Sequence, residues 1–332
     1  MSFWNGKKVL VTGGAGFVGS HLVEELLRRA PRVRVTVADS LESGRRENLR
    51  AVLKDIRIIK ADLRSLEGCR KACRGQDAVL NLAAHVGGVG YNASHHGTMY
   101  RDNMLLAVQM TEAARLAGVE RFLVVSSACV YPREATVPTP ESEGFLGSPE
   151  PTNEGYGWAK RMSEYLGRAY AAEFGMKVAI ARPYNTYGPR DHFESENSHV
   201  ISALIRRVAS GEDPVRVWGS GEQSRAFLYV EDFARGLLDV CERHAICDPV
   251  NLGTSEEVTI RRLAELILEA SGSKAKLKFD PSKPSGQPRR NCDPSRAKAL
   301  VGFQAKVSLR EGLGRTVEWF KANRSRLGAW RK

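Results

Sequence analysis

"TGGAGFVGSH" occupies residues 12–21, directly after the apolar run Val9-Leu10-Val11. Gly13, Gly16 and Gly19 form a G-x-x-G-x-x-G spacing, with a strand-like run leading in and a helix-like pattern leading out. Glycine turns between a strand and a helix are common, so the spacing decides little by itself. The next β-branched run, "VRVTVAD", ends in Asp39, twenty residues beyond Gly19, which is where a carboxylate meets an adenine ribose. On that reading, the turn from Gly13 and Gly16 through Phe17 and Val18 to Gly19 brings backbone N–H groups to a pyrophosphate at the positive end of a helix. Asp39 also predicts the cofactor: a carboxylate accepts ribose hydroxyls and repels a 2′-phosphate, so NAD is expected ahead of NADP. Arg45 and Arg46 are the residues that would serve NADP instead. "ADLR", 61–64, ends the third run and is expected to set Asp62 and Leu63 beside the adenine, with Ala83 grouped among the cofactor contacts.

Working outward, "KKVLVT", "VRVTVAD", "IRIIKAD", "DAVLNLAA", "RFLVVSS" and "KVAIARP" read as buried strands separated by amphipathic stretches. That alternation predicts an α/β fold, a Rossmann-type doubly wound parallel sheet over residues 1–182. The first helix carries Val18, Leu22, Leu26 and Ala30 at intervals of four, leaving Glu24, Glu25, Arg28 and Arg29 for solvent. After Pro183 the pattern changes to "SHVISALIRRVASG", "VRVWG", "FLYVEDFARGLLDVCERH", "TIRRLAELILEASG" and "LREGLGRTVEWFKANR". Residues 183–332 are expected to form mainly a smaller mixed α/β lobe for substrate, which would lie in the cleft between the lobes.

Composition narrows the function classes. With 42% hydrophobic and 27% charged residues and no long apolar span, the 332-residue chain reads as a globular protein without a membrane helix. The start lacks the pattern of an export signal, and six cysteines show neither C-x-x-C pairing nor ligand spacing with the seven histidines, so reduced thiols in a cytoplasm and no metal are expected. The net charge of +12 is spread in short clusters such as "RRENLR" and "RSRLGAWRK", interleaved with acids. This argues against a nucleic-acid footprint and for an anionic substrate.

"YGWAK" places Tyr156 and Lys160 four apart, on one helix face. A phenol held beside an ammonium ion and a bound cationic nicotinamide is expected to have a lowered pKa, so that it exchanges a proton with a sugar hydroxyl while hydride moves. Ser127, in "VVSSACVYP", offers a hydroxyl to the same oxygen. With the glycine motif, the serine segment and the Tyr-Lys pair in this order, the chain resembles the extended short-chain dehydrogenase/reductase family of nucleotide-sugar enzymes over nearly its whole length. That resemblance implies catalytic roles for Ser127, Tyr156 and Lys160, and the last two also touch the cofactor.

Within the family, "AAHVGGVG", "SSACVYP", "PTNEGYGWAK", "NSHVISALIRR", "VWGSGEQSRAFLYVED" and "DPSKPSGQPRR" are similar to the GDP-L-fucose synthase and GDP-mannose 3,5-epimerase groups. Inverting a centre beside a ketone needs one group to remove a proton and another to deliver one on the opposite face. The resemblance implies Cys129 and His199 as that pair; Cys129, two residues after Ser127, is expected to point the same way along an extended segment. It further implies Gly87 in a substrate loop, Asn185 near a diphosphate, and Arg207, Trp218 and Arg225 around the nucleotide. The implied activity is C3 and/or C5 epimerisation of an NDP-hexose, GDP-linked, through a 4-keto intermediate. Two alternatives stay open: an epimerase/reductase of the GDP-L-fucose synthase kind that consumes NAD(P)H, and a UDP-sugar 4-epimerase. Asp39 favours a retained NAD, whereas "SHV" is nearer the fucose synthases. The resemblance also implies a homodimer paired through a helix bundle that includes the Tyr156 helix.

Overall fold

The computed structural model describes residues 2–193, 198–283 and 287–329. Asn197, residues 284–286 and the last three residues, which belong to stretches quoted above, lie outside the described residues. The six β-branched runs all form strands: β1 Lys8–Thr12, β2 Arg34–Asp39, β3 Ile56–Lys60, β4 Ala78–Asn81, β5 Arg121–Val125 and β6 Lys177–Pro183. They are apolar on both faces because helices cover both sides of the sheet; Val9, Leu10 and Val11 are all fully buried. The covering helices are α1 Phe17–Arg29, α2 Leu66–Cys73, α4 His96–Leu116 and α5 Glu154–Phe174; the short α3 Val89–Ser94 packs against α4 and α5.

Beyond β6 follow β7 Thr186–Tyr187, α6 Val200–Ala209, β8 Val215–Trp218, β9 Ser224–Ala226, β10 Leu228–Tyr229, α7 Val230–Arg243 and β11 Pro249–Leu252. The chain then continues through β12 Glu257–Thr259, α8 Ile260–Ser271, β13 Leu277–Asp280, β14 Arg289–Arg290, α9 Ser295–Val301 and α10 Leu309–Ala329. The main sheet has seven strands in the order β3-β2-β1-β4-β5-β6-β11, every pairing parallel. This is the doubly wound α/β architecture, with the order reversing between β1 and β4.

The expected cut at 183 is crossed by the chain. Strand β11, with α7 and α9, returns to the first core: Phe233, Leu237, Val250, Leu252, Val301 and Phe303 pack with Val9, Val11 and Leu22. Hydrophobic burial decides this, since β6 is itself fully buried over Val178–Ala181 and needs a neighbour on its outer side. A second core gathers Ile201, Leu204, Val215, Val217, Leu263, Ile267, Leu313 and Phe320 from α6, β8, α8 and α10. Arg29, expected on the solvent side of α1, instead turns to α7, where its guanidinium meets Asp239 at 2.9 Å. Among the described residues, no helix is long and apolar enough to cross a membrane.

Candidate active site

The crevice at the strand-order reversal begins with the glycine turn. Gly13 has φ +63°, and a Cβ there would come 3.0 Å from the Ala83 nitrogen after β4. A Cβ at Gly19 would come 2.2 Å from the Gly13 carbonyl oxygen, so only glycine lets α1 start this close to the strand end. Gly16 is the N-cap of α1 and Phe17 and Val18 open it, leaving the positive end of the helix facing the crevice. Thr12 ties the two sides together: its hydroxyl donates to Asn81 Oδ1 at 2.7 Å and accepts from the Ala83 N–H at 3.0 Å.

At the end of β2 the Asp39 carboxylate is buried and accepts from the Ala15 N–H at 3.0 Å and the Leu41 N–H at 2.9 Å. Burial raises its pKa, and these two backbone donors offset only part of the rise. Asp62 lies at the neighbouring strand end, paired with Arg64 at 2.9 Å, and Arg64 also reaches Glu42 at 3.1 Å; Leu63 is buried beneath. The Asp39, Asp62, Gly13 and Ala83 positions therefore line one edge of the sheet, as a bound dinucleotide requires.

The catalytic candidates meet at the end of β5. Lys160 donates to the Val125 carbonyl at 2.8 Å and stands 5.3 Å from the Tyr156 ring centre, so the two share a face of α5. Ser127 Oγ accepts from the Cys129 N–H at 3.1 Å, capping a single 3-10 turn over Ala128–Val130. Cys129 Sγ lies 3.8 Å from the Arg290 guanidinium on β14. Arg290 is register partner to Arg225 on β9, and Arg225 donates to the Ser224 and Gln287 carbonyls at 2.7 and 2.6 Å. Asn185 joins this corner through the Ala226 carbonyl at 3.0 Å. Gly87 starts a segment fastened to the foot of α5, where Asn92 donates to Asn153 Oδ1 at 2.8 Å.

The model of the NAD dependent epimerase/dehydratase family matches residues 9–253. The chain belongs to that family. It is 36% identical over 324 residues to the probable GDP-L-fucose synthase 1 of Oryza sativa subsp. japonica, covering 96% of this chain and 93% of that protein. It is 31% identical over 319 residues to the GDP-mannose 3,5-epimerase of Arabidopsis thaliana, covering 95% and 82%. Among solved structures, the epimerase Mth375 of Methanothermobacter thermautotrophicus superposes with a TM-score of 0.89 at 28% identity, covering 98% of this chain and 95% of that one. As a member of the epimerase/dehydratase family, the chain is an NAD(P)-dependent enzyme.

Two expectations need correction. Ser127 and Cys129 do not share a face by strand alternation, because the chain coils into the 3-10 turn; it is that turn which carries Cys129 to Arg290. The Tyr156 phenol is not lowered by the protein's own groups: burial, then the nearby Cys129, pushes it up, while burial brings Lys160 down to about 8. Arg207 stands in the last turn of α6, where its guanidinium bonds the Arg216 carbonyl, and Trp218 ends β8, 46% exposed, its carbonyl accepting from Gln223 Nε2, two residues before Arg225, at 3.2 Å.

His199 belongs to a different element, as N-cap of α6, and no hydrogen bond joins it to Cys129 among the described residues. Its partner is Asp191. Arg290 and Asp191 are the site groups that reading the sequence missed. The run "QPRR", within a stretch similar to the two GDP-sugar groups, did not show which arginine turns inward, and "PRDHF" gave no sign that its acid is buried.

Proposed function

We propose that this enzyme epimerises a GDP-linked hexose at C3 and/or C5 through a 4-keto intermediate, with NAD retained. The observation that carries the proposal is the meeting of Tyr156, Lys160, Ser127 and Cys129 at one strand end, with Arg290 and Arg225 side by side above it. Two guanidinium groups at directly opposed ladder positions repel one another, and a diphosphate between them removes the repulsion. Burial together with Arg290 already brings Arg225 down to about 10.

The glycine turn, Asp39, Asp62, Leu63 and Ala83 would hold the dinucleotide, and its nicotinamide would take up and return the hydride of C4. Tyr156 receives the O4 proton as the ketone forms and gives it back when the ketone is reduced. Ser127 binds that oxygen, and Lys160 keeps positive charge beside the phenol. With the ketone in place, the hydrogens on C3 and C5 are acidic; Cys129 and His199 remove a proton from one face and deliver one to the other. Asn185, Arg225 and Gly87 would hold the diphosphate and hexose, with Arg207 and Trp218 reaching the base. Asp39 supports NAD over NADP, because a buried carboxylate at the end of β2 would accept ribose hydroxyls and repel a 2′-phosphate.

A second reading is a GDP-L-fucose synthase-like epimerase/reductase that consumes NAD(P)H, favoured by the 36% identity to the rice relative and by His199 in its "SHV" setting. Mass analysis of the dinucleotide released on denaturing the purified protein separates the two. Near-stoichiometric NAD is the expected result; a site that fills only with added NADPH overturns it. In the same protein, Tyr156→Phe is expected to abolish hydride transfer with cofactor still bound, and full activity would remove the central claim. We also propose a homodimer through α4 and α5, supported by Leu105, Val108 and Leu116 on α4 and Tyr165 on α5, large apolar side chains left exposed.

A further inference from the structure

His199 is half-exposed, yet its ring is aimed by a carboxylate with no exposed surface at all. His199 Nδ1 lies 3.3 Å from both oxygens of Asp191. The carboxylate is in turn fixed by two donors, the Ser202 hydroxyl from the first turn of α6 and the His192 N–H at 2.8 Å. Among the described residues, Asp191 is the charged group that acts on His199.

The two residues before Asp191 belong to the cofactor side of the molecule. The Pro189 carbonyl accepts from His21 Nε2 at 3.0 Å, and the Arg190 guanidinium meets Glu24 at 2.7 Å, both on α1. Arg190 takes φ +68°, a backbone conformation that side-chain-bearing residues rarely adopt. This tight turn therefore spans from the helix that opens at the glycine cradle to the residue that aims the imidazole.

We propose that Asp191 is the positioning residue of His199, holding Nδ1–H toward its carboxylate so that Nε2 is the atom that exchanges a proton with the substrate carbon. The proposal rests on the epimerase reading for the identity of that carbon, and on geometry for the rest. A carboxylate on Nδ1 selects one tautomer and stabilises the imidazolium. It accordingly raises His199 above the ordinary histidine value, against the opposing effect of burial. Asp191 itself is held low: its own burial opposes this, but His199, Ser202 and the His192 N–H outweigh it.

The first test needs no substrate. In wild-type protein labelled with 15N-histidine, the His199 signal, assigned by its loss in His199→Gln, should show Nδ1 protonated throughout and Nε2 titrating with a midpoint above about 6.5. An Nε2–H tautomer with bare Nδ1 overturns the proposal. The second test follows deuterium entering C3 and C5 of GDP-mannose in D2O with NAD. Asp191→Asn is expected to slow exchange by about tenfold or more, and to move to lower pH whichever limb of the profile belongs to His199, with NAD binding unchanged. Unaltered exchange and an unmoved profile in Asp191→Asn, beside a His199→Gln protein that no longer exchanges, overturn this inference alone. A His199→Gln protein that exchanges like wild type removes the epimerase role of His199 instead. If Asp191→Asn does not fold, the wild-type tautomer decides.

Discussion

Glu164 stands one helical turn past Lys160, and its two oxygens receive the Arg182 guanidinium as a fork, Nε and one Nη each at 2.8 Å. Both side chains are almost wholly buried, at 0% and 1% exposure. Ser126, beside Ser127, donates to the same carboxylate, while Arg182 also reaches the Tyr131 hydroxyl at 3.0 Å and the Glu141 carbonyl at 2.7 Å. A pair of this kind adds little over an apolar equivalent, but leaving one charge without the other is expensive. Glu164→Gln is therefore expected to destabilise the fold by about 3–5 kcal/mol in chemical denaturation, and a loss under about 1 kcal/mol would contradict the reading. Single residues were legible where residue type and spacing coincide, as with Asp39 after the glycine motif and the Tyr156–Lys160 pair. Arg290 was not, because its meaning comes from Cys129, 161 positions away in the chain. Asp191 escaped for the same reason: burial is what separates it from an ordinary surface acid.

Helix α1 also carries a buried histidine. His21, within the glycine stretch, is buried and held neutral; burial, reinforced by Arg190, lowers its pKa to about 3. The unfolded chain takes up a proton there near pH 6.5 that the folded chain refuses. The contribution of His21 to stability is thus fully present above pH 6.5 and is lost as pH falls from there toward about 3, by roughly 1.4 kcal/mol per pH unit. Urea midpoints across that window should flatten by one proton in His21→Gln relative to wild type; an unchanged slope would assign the acid sensitivity elsewhere. Elements were readable from the chain where they are long and periodic, hence the first six strands and the helices of the second lobe. Two were not. Strand β11 is four residues, "PVNL", with a buried Asn251 that pairs with Tyr131, Glu141 and Thr139, so its polarity disguised a core strand. The turn at 128–130 interrupted what looked like a continued strand, because the Ser127 hydroxyl offers its N–H groups a cap.

At the scale of the whole molecule, composition and alternation were enough for the doubly wound sheet, which depends on repeated local patterns. The return of the chain to that sheet depends on which apolar surfaces find each other, and a linear reading does not contain it. The exposed α4–α5 face is the remaining surface to account for. Leu105→Glu with Val108→Glu is expected to convert a dimer to a monomer in light scattering while the isolated chain keeps its circular dichroism; a wild-type protein that scatters as a monomer would remove the dimer proposal.

The passage of the chain back and forth between its two cores has a mechanical consequence. Two bodies joined by a single strand of chain can swing like a door, whereas bodies stitched together at 183, around 230, beyond 252 and around α9 are expected to have that swing restrained at each crossing. For the proposed substrate, a bulky and doubly charged guest, admission would then fall to local loops, with the frame held while its rim yields. Such a scaffold would hold its reacting atoms in register from one turnover to the next.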